Sequence, residues 1–199
     1  LSLQAASLVA EMRRALNDYI KLDPVFKTTL IPHTPQKGAP LIAEEMCKAA
    51  LLAGVGPMAA VAGLFSEKVG FLLNRYSPDV IVENGGDIWL RSVKKRRVAV
   101  YAGKSPFSMQ IGLEIDSRDT PLGICTSSGT VGHSLSFGQA DAVIILAPSA
   151  VLADAVATAS ANLVKEEQDL QKAVDFALGI NGIKGALAIK GDKMAARGT

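Results

Sequence analysis

Residues 79–93 read Asp-Val-Ile-Val-Glu-Asn-Gly-Gly-Asp-Ile-Trp-Leu-Arg-Ser-Val. Apolar runs flank Asn84-Gly85-Gly86-Asp87, and paired glycines between such runs are a strand-to-strand turn signal. Strands are therefore predicted over 79–83 and 88–93. Working downstream, further strands are predicted over 97–101, 110–115, 122–126 and 142–146, with a turn at Arg118-Asp119-Thr120-Pro121. Consecutive strands joined by short turns imply antiparallel pairing in a sheet.

Helices fall in blocks on either side. Leu8, Met12, Leu16, Tyr19 and Ile20 recur at three- and four-residue steps, which predicts a helix over 3–21 ended by Asp23-Pro24. A link with Pro32, Pro35 and Pro40 follows. Helices are predicted over 41–53 and 58–76, separated by Gly54-Val55-Gly56-Pro57. Ala59, Ala60, Ala62 and Gly63 keep the start of the second of these small enough for close approach to a helix or a ligand. After the strands come a helix over 150–164 with Ser149 as N-cap, a helix over 166–178 and a strand over 185–190. Blocks of helices around consecutive strands predict an α+β fold, with residues 1–199 as a single domain and 1–40 as its appendage.

Composition narrows the function classes. The chain is 49% hydrophobic and 20% charged, which suits a globular protein with a sizeable core. Its formal net charge of +2 argues against a general nucleic-acid binder. The basic run Lys94-Lys95-Arg96-Arg97 reads as a solvated hairpin turn. Cys47 and Cys125 lie in apolar surroundings and read as small buried hydrophobes, consistent with a reducing cytoplasm. The uncharged run from Ala49 to Phe65 is interrupted by Gly54, Gly56, Pro57 and Gly63, so a buried loop and helix fit it better than a membrane span. No signal-peptide pattern is visible, and a cytoplasmic protein without membrane partners is expected.

Three constellations carry possible chemistry. Asn84, Gly85, Gly86 and Asp87 could present a backbone and two polar side chains to a ribose, a base or an amide; spacing alone favours a plain hairpin. Thr126-Ser127-Ser128-Gly129-Thr130, with Val131-Gly132-His133-Ser134 beyond it, offers hydroxyls and backbone N–H groups to a small anionic ligand. It follows an apolar strand, and a buried polar cluster needs partners. Asp154 and Thr158 stand four apart on a helix and share a face, where a carboxylate and a hydroxyl, with a backbone carbonyl and waters, suit Mg²⁺ or Ca²⁺. Spacing alone favours the bland alternative, in which Thr158 bonds a backbone carbonyl and Asp154 is solvated near the helix start. His133 and Asp141 are candidate proton carriers, although Asp141 could equally cap a turn. His33 has no assigned role. Zinc-ligand spacing, a nucleophile elbow and a P-loop are all missing from the sequence.

Taken in order, these segments resemble the ApbE-like superfamily, best known for FAD:protein FMN transferases. The matching motifs are Gly85-Gly86-Asp87, Thr126-Ser127-Ser128-Gly129, His133 and the helix segment Ala153 to Ala159. A short, uncharacterised branch is closer still, through Gly54 to Gly63, Val82 to Ile88 and Gly123 to Ala142. The resemblance implies an ApbE-like α+β fold related to the T-fold. It implies Mg²⁺ on Asp154 and Thr158, with FAD or FMN as the ligand. The sequence departs from the transferases in two places. The stretch from Met58 to Gly63 lacks their lysine, and their His-Ile-Ile-Asp-Pro run is shortened to Gly132-His133 with Asp141 following. The expected functions are a nucleotide- or flavin-binding enzyme, a non-catalytic binding module, or a homodimeric assembly protein packed through Gly54 to Gly63.

Overall fold

The computed structural model describes residues 1–130 and 136–198. Helices α1 (Ser2–Leu22), α2 (Pro24–Thr28), α3 (Leu41–Ala53) and α4 (Val61–Leu73) precede strands β1 (Val80–Asn84), β2 (Asp87–Arg91), β3 (Arg96–Ala99), β4 (Gly112–Ile115), β5 (Leu122–Ser127) and β6 (Ala142–Ala147). Helices α5 (Ala150–Leu163) and α6 (Leu170–Leu178) follow, and then strands β7 (Gly185–Lys190) and β8 (Lys193–Gly198). Six strands form one antiparallel sheet in the order β1-β2-β5-β6-β7-β8, and β3 pairs with β4 apart from it. This is an α+β fold.

The alternation of side chains along each strand builds a core on both faces of the large sheet. Trp89, Cys125, Val143, Ile145 and Ala188 join the helices in one cluster. Leu90, Ile124, Ile144, Leu146 and Ile189 face the other way, with Val100, Ala102 and Ile115 from the segment that carries β3 and β4. Strand β6 is buried at every position, as a central strand covered on both sides must be, and its apolar run needs no polar alternation. Helix α5 lies across β5 and β6 and also meets α3, α4 and α6. Its surroundings explain why Ala and Val fill almost every turn: a helix apolar all round is a buried helix. Two caps fix its start. Ser149 Oγ accepts from the Leu152 N–H at 3.3 Å, and the buried Glu67 carboxylate accepts from the Ala150 N–H at 2.6 Å.

Several expectations are corrected. The strands divide into two sheets, because after β2 the chain leaves the large sheet and returns at β5. Lys94 to Arg97 is therefore no hairpin turn; it starts the crossover, where Arg96 pairs with Asp79 at 2.9 Å and Lys95 with Glu114 at 2.7 Å. The helix expected over 58–76 is a 3-10 turn, Pro57–Ala60, followed by α4. Glu167–Asp169 is likewise a 3-10 turn ahead of α6. Strand β8 has no counterpart in the sequence reading, since it is exposed almost throughout and shows no apolar alternation. Among the described residues, no single helix is long and apolar enough to cross a membrane.

Asp23-Pro24 does end α1, but it also begins α2, with Pro at the first helical position and Asp23 as the cap. Asp23 is 2% exposed and accepts from Tyr19 Oη at 2.9 Å, and it pairs with His33 Nε2 at 2.7 Å. Burial alone would raise its carboxyl, but the bonds to His33 and Tyr19 hold it below its ordinary value. The network ties the Pro-rich link to α1, and Phe26, fully buried, enters the main core. Asp23→Ala is expected to cost about 2 kcal/mol in urea denaturation, from a lost cap and stranded buried partners.

Candidate functional site

The turn between β1 and β2 is closed by Gly85 and Gly86, at φ 67° and 103°, with Glu83 Oε1 accepting from the Gly86 N–H at 2.7 Å. Asn84 donates to the Ala62 carbonyl at 3.2 Å, which ties the turn to the start of α4. This turn delivers Asp87 to the first position of β2, buried, with Oδ1 accepting from the Thr126 N–H at 3.3 Å. Burial pushes the Asp87 carboxyl up to about 7, against the opposing effect of the neighbouring Cys125 thiol and the hydrogen bond from the Thr126 N–H.

Asp154 comes from α5. Its Oδ2 accepts from the Gly63 N–H at 2.8 Å, and the Ala62 backbone also contributes. Gly63 is glycine because α4 rests on α5 here. A Cβ would sit 2.2 Å from the Ala150 carbonyl oxygen and 2.8 Å from Asp154 Cβ. Asp154 is 8% exposed, which excludes the solvated placement. Burial holds its carboxyl well above the ordinary range, and the Asp87 charge pushes the same way. Neither carboxylate takes part in an ion pair among the described residues.

The two acids share a cavity of about 320 Å³ with Thr126, Ser127, Thr158 and Asn162. Val55, Met58, Val61 and Phe137 give it an apolar wall, and Lys27 and Thr29 reach it from α2 and the residue after it. The volume is at the small end of ligand pockets, and a mostly apolar wall with a few convergent polar groups is their usual chemistry. Three segments far apart in the chain thus converge: Asp87, then Thr126 with Ser127, then Asp154 with Thr158.

The remaining residues singled out in the sequence stand elsewhere. Asn84, Gly85 and Gly86 shape the turn but do not line the cavity. Ser128 Oγ donates to the Ala140 carbonyl at 3.4 Å and the Gly129 N–H to the same oxygen at 2.9 Å. Thr130 Oγ1 donates to Asp141 Oδ1 at 2.9 Å, and Asp141 Oδ2 accepts from the Gly191 N–H at 2.7 Å. These bonds join the end of β5 to the start of β6 and the β7–β8 turn, and none of the four residues lines the cavity. His133 lies outside the described residues.

Lys27, Phe137 and Asn162 were not anticipated. Asn162 continues the four-residue step of Asp154 and Thr158, so helical spacing does carry a signal for it. Its Oδ1 accepts from the Phe137 N–H at 2.8 Å, which holds Phe137 at the cavity mouth. Nothing local marks Lys27 or Phe137.

The profile of a family described as "AbpE bacteria" matches residues 1–191. Similar proteins include the UPF0280 protein of Methanocella arvoryzae, 43% identical over 194 residues, covering 96% of this chain and 78% of the relative. The UPF0280 protein of Methanopyrus kandleri is 45% identical over 195 residues, covering 94% and 78%. Among solved structures, Flavin Transferase ApbE from Vibrio cholerae superposes with a TM-score of 0.52 at 16% identity, covering 94% of this chain and 74% of that one. The ApbE protein of Thermotoga maritima gives a TM-score of 0.50 at 14% identity, covering 73% and 51%. At such identities the likeness is one of fold.

Proposed function

Because this chain belongs to the AbpE bacteria family, we propose that its cavity binds a phosphorylated, nucleotide-like or flavin-like ligand together with Mg²⁺. The observation that supports this most is the acid pair. Asp87 and Asp154 are both buried, both carry raised pKa values and both lack an ion-pair partner among the described residues, while facing one cavity with Thr158. A buried carboxylate without a cation costs several kcal/mol once ionised, so two at one site suit an ion between them.

The donor set fits a hard cation. Oxygen ligands would come from Asp154, Asp87 and the Thr158 hydroxyl, with the rest from water and the ligand. The described residues hold no group of three or more His, Cys, Asp or Glu suited to a metal ion, and Mg²⁺ commonly takes one or two carboxylates plus phosphate oxygens. When bound, the ion would offset the charge of a phosphate. The chain's own part is to hold the carboxylates through Gly63 and Thr126, exclude water with Val55, Met58 and Val61, and orient the ligand on Thr126, Ser127 and Asn162. The Vibrio cholerae neighbour is a flavin transferase, which makes FAD the first ligand to try.

Titration calorimetry with FAD, with and without Mg²⁺, tests the reading. Saturable binding that requires Mg²⁺ and is lost in Asp154→Ala is the expected result. No binding of FAD by the folded protein in either condition would remove the flavin. A second reading, a binding module without chemistry, draws support from Asp141, which is engaged by Thr130 and Gly191 and does not line the cavity. Release of AMP from bound FAD would exclude it.

A further inference from the structure

We infer that Lys27 is the anion anchor of this cavity, the side chain that receives a diphosphate group of the ligand at the mouth while the acid pair holds the cation that the same diphosphate chelates. The inference rests on the reading above for the cation and adds the residue that selects the anion.

The charges lining the cavity are Asp87, Asp154 and, among the described residues, a single cation, Lys27. An exposed lysine is ordinarily a solvated surface charge. Two observations bear on this one. First, lacking an ion pair is ordinary for a lysine of this chain, as Lys48, Lys104 and Lys172 show among the described residues, and what distinguishes Lys27 is its place. Lys27 forms no ion pair among the described residues, although it shares a cavity with two carboxylates that also form none.

Second, its backbone is held in place. Phe26, the preceding residue, is fully buried, and Asp23 caps the helix that carries both. On the other side, the Thr29 carbonyl is pressed against Gly56, where a Cβ would lie 2.0 Å from its oxygen. A five-residue helix pinned at both ends keeps Lys27 at the mouth of the cavity, where a free loop would not.

A positive mouth and a negative floor that do not meet call for a ligand that satisfies both. A carboxylate or a single phosphate could satisfy Lys27 alone. A diphosphate that chelates Mg²⁺ would satisfy both, its oxygens accepting from Lys27 while Asp87 and Asp154 would hold the cation. The hydroxyls of Thr126, Ser127 and Thr158 can donate to the oxygens left over.

The test uses inorganic pyrophosphate with MgCl₂ as the probe, measured by calorimetry on the full chain and on Lys27→Gln, Lys27→Arg and Asp154→Asn. Lys172→Gln on α6 serves as the surface-charge control. Lys27→Gln is expected to weaken pyrophosphate binding about tenfold. Lys27→Arg should stay within about threefold of the original, because the charge is kept. Lys172→Gln should bind as the unaltered chain does. Equal binding by Lys27→Gln and the unaltered chain overturns the proposal, as does failure of the unaltered chain to bind pyrophosphate at millimolar concentration. The arms separate the two readings. Binding lost in Asp154→Asn but kept in Lys27→Gln leaves the cation site and removes the anchor. Lys27-dependent pyrophosphate binding in a chain that ignores FAD leaves the anchor and removes the flavin.

Discussion

Gly63→Ala should lower stability by about 3 kcal/mol and abolish Mg²⁺-dependent ligand binding in the fraction that still folds. The added methyl has nowhere to go. It would fall 2.2 Å from the Ala150 carbonyl oxygen and 2.8 Å from Asp154 Cβ, so α4 must move away from α5. Main-chain atoms and a buried carboxylate give way poorly, unlike the end of a flexible side chain. The displacement also stretches the 2.8 Å bond from the Gly63 N–H, which holds Asp154 in place. Urea denaturation measures the first effect and calorimetry the second. Ala62→Gly is the natural contrast, since it alters the same turn without adding bulk. A Gly63→Ala protein as stable as the original would show that the helix contact is not where the fold is tight.

Asp154→Asn is expected to stabilise the metal-free protein at pH 8, on the order of 2–4 kcal/mol, while destroying its response to Mg²⁺. The sign follows from the raised carboxyls. Asp87 sits at about 7 in the folded chain against an ordinary 3.8, and Asp154 is raised as well. Between roughly pH 4 and pH 7 the folded state binds more protons than the unfolded one, so stability falls as pH rises through that window. The contribution is fully present below the ordinary carboxyl range and lost above the folded value. Asparagine removes one of the two charges and can still accept from the Gly63 N–H. Melting temperature followed from pH 5 to pH 8 should therefore fall for the original and stay flatter for the variant. Glu67 is also raised by burial, but it is common to both proteins and drops out of the comparison. Added Mg²⁺ should restore the original at pH 8 and leave the variant unmoved. Parallel pH profiles would mean that the acid pair is not strained by its burial.

The parts of this structure legible from the chain were those decided locally. The bounds of α3 were readable because Pro40 precedes it and Gly54, at φ 73°, ends it. Strand β7 was readable from an apolar run between turn residues. The shared face of Asp154 and Thr158 followed from helical spacing alone. What could not be read were matters of which distant segment lies beside which. That β3 and β4 leave the large sheet is set by how the segment from Val98 to Ile115 packs over its second face, and strand propensity is indifferent to that choice. That Asp87 meets Asp154, and Lys27 the same cavity, depends on α4 bridging α5 and the β1–β2 turn. Each of those residues has an unremarkable local context: a turn, an alanine-rich helix, a short capped helix.

The two bonds that set the acid-bearing helix in place join distant positions in the chain. Gly63 to Asp154 spans 91 residues and Glu67 to Ala150 spans 83. Between the partners lies most of the sheet. A contact of that reach closes a long loop, and its entropic cost is met only after the intervening strands have begun to pair. The expected order therefore brings the carboxylates into their cavity late, after β1, β2, β5 and β6 have begun to pair. In that order Asp154 would stay hydrated until the helices dock, and the cost of its burial would fall on that docking. A cation present during refolding would act on that step alone, hastening the docking of α4 against α5 without touching the formation of the sheet.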